Sequence, residues 1–198
     1  MALTSQAGMT FGSGLRVTDT GGGCISYATS PIGTDAEFTG PDFSMGYRFR
    51  KINTSTSGTS AVGIADVNGT FRRFWLQAEA NSGANLIFCS LQIDATGGAQ
   101  SDVVLAQISE DTDEHSVAVT YDGDGDTLLY IDGELVDEAA TVPIDISGPA
   151  DGTDVFSIWG STSPGIEVYY VDNSWFHNTV ISPGQVASIH TDGLAGDS

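Results

Sequence analysis

The side chains able to move a proton or hold a metal are unevenly spread, and the densest run is Glu110-Asp111-Thr112-Asp113-Glu114. Glycoside hydrolysis takes two carboxylates flanking the sugar, one of them tuned by its surroundings to stay protonated. This run stands before a strand rather than within one. It also lacks the interleaved apolar residues that would bury and tune an acid. It therefore reads as a solvated acidic loop. A second run, Asp122, Asp124 and Asp126, places oxygen ligands at alternate positions, which suits a hard cation such as calcium. Its continuation departs from a calcium loop: Thr127 stands where glycine is needed, and Gly133 where a bidentate glutamate is needed. The favoured reading is a solvated hairpin turn. Asp122, Asp124, Asp126 and Asp172 are kept as candidate calcium ligands, with Asp66 or Asp132 as equally simple alternatives at a rim.

Saccharides are held by an aromatic face beside planar hydrogen-bonding groups. Between Thr70 and Glu79, a period of two puts Arg73, Trp75, Gln77 and Glu79 on one strand face. Arg72, Phe74, Leu76 and Ala78 take the other. Arg73, Trp75 and Gln77 are thus candidate ligand-binding residues, with Trp159 and Trp175 as comparable aromatics. The simpler reading makes these tryptophans sandwich core or subunit interface. No catalytic residue is assigned. No serine or cysteine stands in a nucleophile elbow, and His115, His177 and His190 are scattered without metal-ligand spacing. Cys24 and Cys89 sit in strand-like runs, and two buried free thiols are favoured over a bridge.

The elements that must position these groups are short and β-like. Strands are predicted over 14–18, 24–28, 43–51, 61–66, 70–79, 85–94, 102–108, 115–121, 127–132, 155–160 and 166–176. Turn clusters such as Val67-Asn68-Gly69 and Asp122-Gly123-Asp124-Gly125-Asp126 separate them. Asn-Gly and Asp-Gly pairs supply the positive φ angles of tight hairpins. Val117, Val119 and Tyr121 share one face, and Ile87, Cys89, Leu91 and Ile93 share another. One helix is predicted over 183–190, capped by Ser182 with Pro183 in its first turn, and a polar tail over 191–198. The expectation is an all-β, two-sheet antiparallel sandwich, one domain over 1–198.

Three stretches resemble the laminin-G-like, concanavalin A-like lectin and glucanase family. They are Phe43-Ser44-Met45-Gly46-Tyr47-Arg48-Phe49-Arg50; the hairpin His115–Gly123 with Leu129–Val136, each half marked by an Asp-Gly turn; and Tyr170–Asn178 followed by Ile181–Val186. The resemblance implies a jelly roll of two stacked, curved sheets, a family of carbohydrate- or protein-binding modules, and calcium at the rim in many members. That family also contains glycoside hydrolases, but fold does not fix function.

Charge narrows the partners. Twenty-six acidic residues face six basic ones, for a formal charge of -20, and Lys51 is the only lysine. No basic patch exists to neutralise phosphates, so nucleic acid is not an expected partner. No segment approaches 18 consecutive apolar residues, so membrane insertion is not expected. Residues 1–8 carry no basic or apolar export signal. At molar salt the Debye length falls to about 3 Å, which removes most self-repulsion. The composition therefore reads as adaptation to high salt. The expected function is a non-enzymatic virion surface protein of a virus with a halophilic host: a capsid decoration, turret, spike or fibre component. Its expected partners are capsid or tail proteins and its own copies in a homo-oligomer, with a host glycan as a further ligand. A secreted or cell-surface carbohydrate-binding module is the alternative, and a glycoside hydrolase ranks below both. The melting temperature should rise strongly between low and multimolar potassium chloride. A flat response would contradict salt adaptation, and a rise with millimolar calcium alone would point to a specific ion site.

Overall fold

The computed structural model describes residues 5–9, 12–18, 25–31, 42–51, 58–66, 72–81, 83–95, 99–140, 154–162, 167–177 and 179–193. Within them the strands are β1 (Ser5–Met9), β2 (Gly12–Thr18), β3 (Ile25–Pro31), β4 (Phe43–Lys51), β5 (Gly58–Asp66), β6 (Arg72–Asn81) and β7 (Leu86–Ala95). They continue as β8 (Ala99–Ser109), β9 (Glu114–Tyr121), β10 (Asp126–Ile131), β11 (Glu134–Ala140), β12 (Asp154–Thr162) and β13 (Glu167–His177). One helix follows, α1 (Pro183–Asp192). A seven-stranded sheet runs β1-β2-β13-β4-β9-β10-β11, and a six-stranded sheet runs β3-β12-β5-β6-β7-β8. Every pairing among these strands is antiparallel, both in the hairpins and between strands distant in sequence.

The two-sheet sandwich matches the sequence expectation, with two strands added. β1 and β11 are terminal strands. β11 reads Glu-Leu-Val-Asp-Glu-Ala-Ala and is exposed or half-buried along its length, so it lacks the apolar alternation that marks a strand. The helix also runs further, with Thr191 and Asp192 in α1 rather than in a tail. The Ser182 cap is a full capping box with Gln185.

β4 is the centre of the molecule. Phe43, Met45, Tyr47 and Phe49 point between the sheets, and all are buried. Each such side chain contributes about 1.5–3 kcal/mol by leaving water. Phe43 stacks on Phe74 at 4.5 Å and on Tyr121 at 4.9 Å, joining both sheets. The Tyr47 hydroxyl donates across the core to the Ser60 carbonyl at 2.8 Å, and burial pushes its pKa well above the usual value.

The outer face of β4 is also covered, because α1 lies over it. Ser44 Oγ donates to the Thr179 carbonyl at 2.8 Å and accepts from the Ile181 N–H at 3.0 Å, fixing the approach to the helix. Register shifts in β13 between Asp172 and Trp175, so two residues there face Tyr47 alone. Such a bulge re-aims the side chains that follow. Val171 and Phe176 reach the inter-sheet core while Trp175 packs with Val186 and Ile189 beneath α1. Gly46 makes room for it, since a Cβ there would lie 2.7 Å from the Trp175 ring.

The end of β4 holds cations, and all three point at residues 110–114. Lys51 meets the Glu110 carboxylate with both side chains fully buried. Arg50 Nε donates to the Thr112 carbonyl at 3.1 Å, and Arg48 pairs with Glu114 at 2.8 Å. The expectation of a solvated acidic loop is thus corrected: its two glutamates are drawn inward by β4. Burial pulls the Lys51 ammonium from 10.5 down to about 8. Lys51→Met should leave Glu110 buried without a counter-charge and lower the unfolding free energy by about 3–5 kcal/mol. Lys51→Met with Glu110→Leu should recover most of the loss. Urea unfolding at fixed salt reads both, and a single variant as stable as the parent would remove this pair from the structural account.

Candidate functional site

Polar side chains from distant parts of the chain converge where α1 meets β9 and the β10–β11 turn. That turn is Asp132-Gly133, with φ of 53° and 79°, the paired left-handed conformation of a two-residue hairpin. It faces α1 closely: a Cβ on Gly133 would lie 3.2 Å from the His190 Cβ. Asp132 Oδ1 accepts the Ser116 N–H at 2.8 Å, and Oδ2 meets His115 Nδ1 at 2.7 Å. His115 Nε2 meets Asp111 Oδ1 at 3.1 Å. Ser116 Oγ and His190 Nδ1 lie 2.8 Å apart.

With a carboxylate at each ring nitrogen, His115 is built to carry both protons. The hydrogen bond to Asp132 is the main cause that raises its pKa from 6.5 to about 9. Desolvation opposes it, and the charges of Asp132 and Asp111 add to it. Burial pushes the Asp132 carboxyl up, but the bonds from His115 and the Ser116 N–H outweigh it and hold the group below its usual value. The set contains the three residue types of a hydrolase triad without its connectivity. The imidazole on Ser116 is His190, while the imidazole on the aspartate is His115, so no proton path runs from serine to aspartate through one ring. Beside it, Arg48, Ser116, Tyr130, Asn173, Trp175 and His190 line a crevice with room for about one water molecule.

The residues singled out in the sequence fall elsewhere or inward. Trp75 and Gln77 do share the face opposite Phe74 and Leu76, but Trp75 is 1% exposed and Gln77 7%. Trp75 Nε1 donates to Gln77 Oε1 at 3.1 Å. The pair is packed against the sheet with Ala61, so the Trp75 ring offers no open face. Trp175 is 7% exposed under α1, so it too offers no open ring face. The side chains of Arg73, Trp159 and Asp172 lie outside the described residues, as does Cys24. Cys89 is a buried free thiol whose pKa burial pushes well up. Asp122 Oδ1 accepts the Asp124 N–H at 3.1 Å within its own turn, and Asp42 Oδ1 accepts the Gly123 N–H at 3.0 Å. This is a hairpin tip held by one carboxylate of its own and one from the residue before β4. Among the described residues no three His, Cys, Asp or Glu side chains converge as a metal shell, Asp122, Asp124 and Asp126 included. The sequence missed the His115–Asp132–Ser116–His190 set because His190 reaches it from a separate element, with no local spacing to signal it.

No protein-family model matches the sequence, and neither does any curated protein sequence. Solved structures do match. The binding domain of botulinum neurotoxin DC, solved with rat synaptotagmin II, superposes with a TM-score of 0.64 at 12% identity, over 97% of this chain and 46% of that one. The same domain solved with SialylT gives 0.62 at 11%, over 96% and 45%. A heptameric SAP-like pentraxin from Limulus polyphemus gives 0.54 at 12%, over 91% and 84%. The fold these structures share with the chain is a two-sheet antiparallel jelly-roll sandwich. The chain spans about half the length of the toxin chains it matches.

In this jelly roll the ion pairs at His115 tie the 110–114 segment and the β10–β11 turn together. The folded pKa lies above the unfolded one, so the stability His115 contributes is fully present below pH 6.5 and lost as pH rises through about 9. Lys51 titrates in the same range with the opposite sign, so the comparison must be with His115→Gln. The parent should lose stability relative to that variant between pH 7 and 10 in urea unfolding at fixed salt. Parallel pH profiles would contradict the assignment.

Proposed function

We propose that this jelly roll is a non-catalytic binding module displayed in many copies on a virion surface, as a capsid decoration, turret, spike or fibre component of a virus with a halophilic host. The observation that carries the non-catalytic part is that the groups best suited to chemistry are committed to holding elements together. His115, Asp132, Ser116 and His190 bond to one another, Glu110 and Glu114 to β4, and Trp75 to Gln77. The fold is shared with a toxin binding domain solved with synaptotagmin II and with SialylT, which supports recognition of a glycan or protein receptor. A heptameric pentraxin shares it too, which supports display in many copies, where avidity compensates for weak single contacts. The charge of -20 suits a surface working in molar salt, and contacts with acidic neighbours there would be apolar or ion-bridged.

Mass spectrometry of purified virions, read with the gene neighbourhood, tests the reading. The chain should be found in virions, encoded among structural genes. Its absence from virions together with neighbours that degrade polysaccharides would replace this reading with a secreted or cell-surface carbohydrate-binding module. A glycan array in multimolar salt then separates receptor binding from architecture alone.

A further inference from the structure

Four large apolar side chains stay exposed among the described residues, and three of them lie on two neighbouring strands: Leu105 on β8, at 47%, and Leu135 and Val136 on β11, at 50% and 44%. β8 and β11 are the last strands of their sheets, and they lie against each other. The Leu105 N–H donates to Asp137 Oδ2 at 2.8 Å, so an inward-pointing carboxylate closes the β8 edge at that point. The outer side of β11 pairs with no strand among the described residues. A regular strand would send Leu135 and Val136 to opposite faces. Register shifts between Leu129 and Tyr130, which leaves Val136 with no residue opposite it on β10, and both side chains stand in solvent.

Charge selects the occupant. Asp102, Glu134 and Glu138 are exposed along these two strands, and residues 74–198 contain neither Lys nor Arg. Below molar salt, where charges are not fully screened, a second copy meeting this edge would set acid against acid across the pair, which destabilises a ladder. A chain alternating basic and apolar residues would instead match the acids and cover Leu135 and Val136. An exposed strand edge also templates the addition of an extended segment through main-chain hydrogen bonds. We propose that the outer edge of β11 docks an extended segment of a second protein that alternates basic and apolar residues. This goes beyond the receptor-binding reading, which concerns a glycan or receptor and does not require this edge.

The test uses the full chain and a fluorescein-labelled decapeptide of alternating arginine and valine. Anisotropy is read at the lowest salt at which circular dichroism shows the chain folded. The parent should bind. Leu135→Glu with Val136→Glu should weaken binding at least about tenfold, although it adds negative charge. Val180→Glu, at the fourth exposed apolar side chain, should leave binding unchanged. A peptide N-methylated at alternate residues should lose binding, because it cannot complete the ladder. The proposal is overturned if the parent does not bind, if the double variant binds as tightly or more tightly, or if the N-methylated peptide binds equally. Sedimentation showing that the parent self-associates and the double variant does not would assign the edge to a second copy, and would also overturn it.

Discussion

The structure depends on how one strand disposes of its positive charge. β4 carries Arg48, Arg50 and Lys51, half of the six basic residues in the chain. All three are turned toward residues 110–114. A buried ion pair contributes little net stability against an apolar substitute, because both partners must be desolvated. Its effect is to forbid alternatives. With Glu110 and Lys51 both out of water, any arrangement that separates them leaves a bare charge in the interior. The pair therefore fixes where the segment after β8 must lie. That segment leads into β9, the neighbour of β4, and Asp111 within it meets His115.

The second organising feature is the double burial of β4. A jelly roll needs only its inner face covered, yet α1 closes the outer face of the seven-stranded sheet over Gly46, Ala118, Tyr130 and Trp175. Three local devices make this possible: the β13 bulge that turns Trp175 outward, the missing Cβ at Gly46 that receives its ring, and the Asp132-Gly133 turn that lets His190 come close. None is an apolar pattern, and each is a departure of one or two residues from regular strand geometry.

Much of the fold was legible in the sequence because its central strands are apolar on the buried face and end in turn residues that allow few conformations. The pattern in 115–121 and the Asp-Gly cluster at 122–126 place β9, β10 and their hairpin correctly. β11 was not legible, since a terminal strand with an acidic, exposed surface carries no alternation to read. The candidate site was legible only in part. The shared face of Trp75 and Gln77 followed from a period of two, but periodicity assigns a face and says nothing of what covers it. The acidic run at 110–114 was misread for the same reason. Its partners sit on β4, some sixty residues earlier, and local composition holds no record of them.

The distribution of cations has a consequence for the chemistry the surface can undergo. The single lysine is enclosed with Glu110, so its amine is withheld from electrophiles, and reagents that acylate or cross-link amines find no lysine at the surface. Proteases that cut after Lys or Arg find no site anywhere in residues 74–198, folded or unfolded. Resistance to that class of enzyme over most of the chain is therefore a property of the covalent sequence rather than of the fold, and would persist after denaturation.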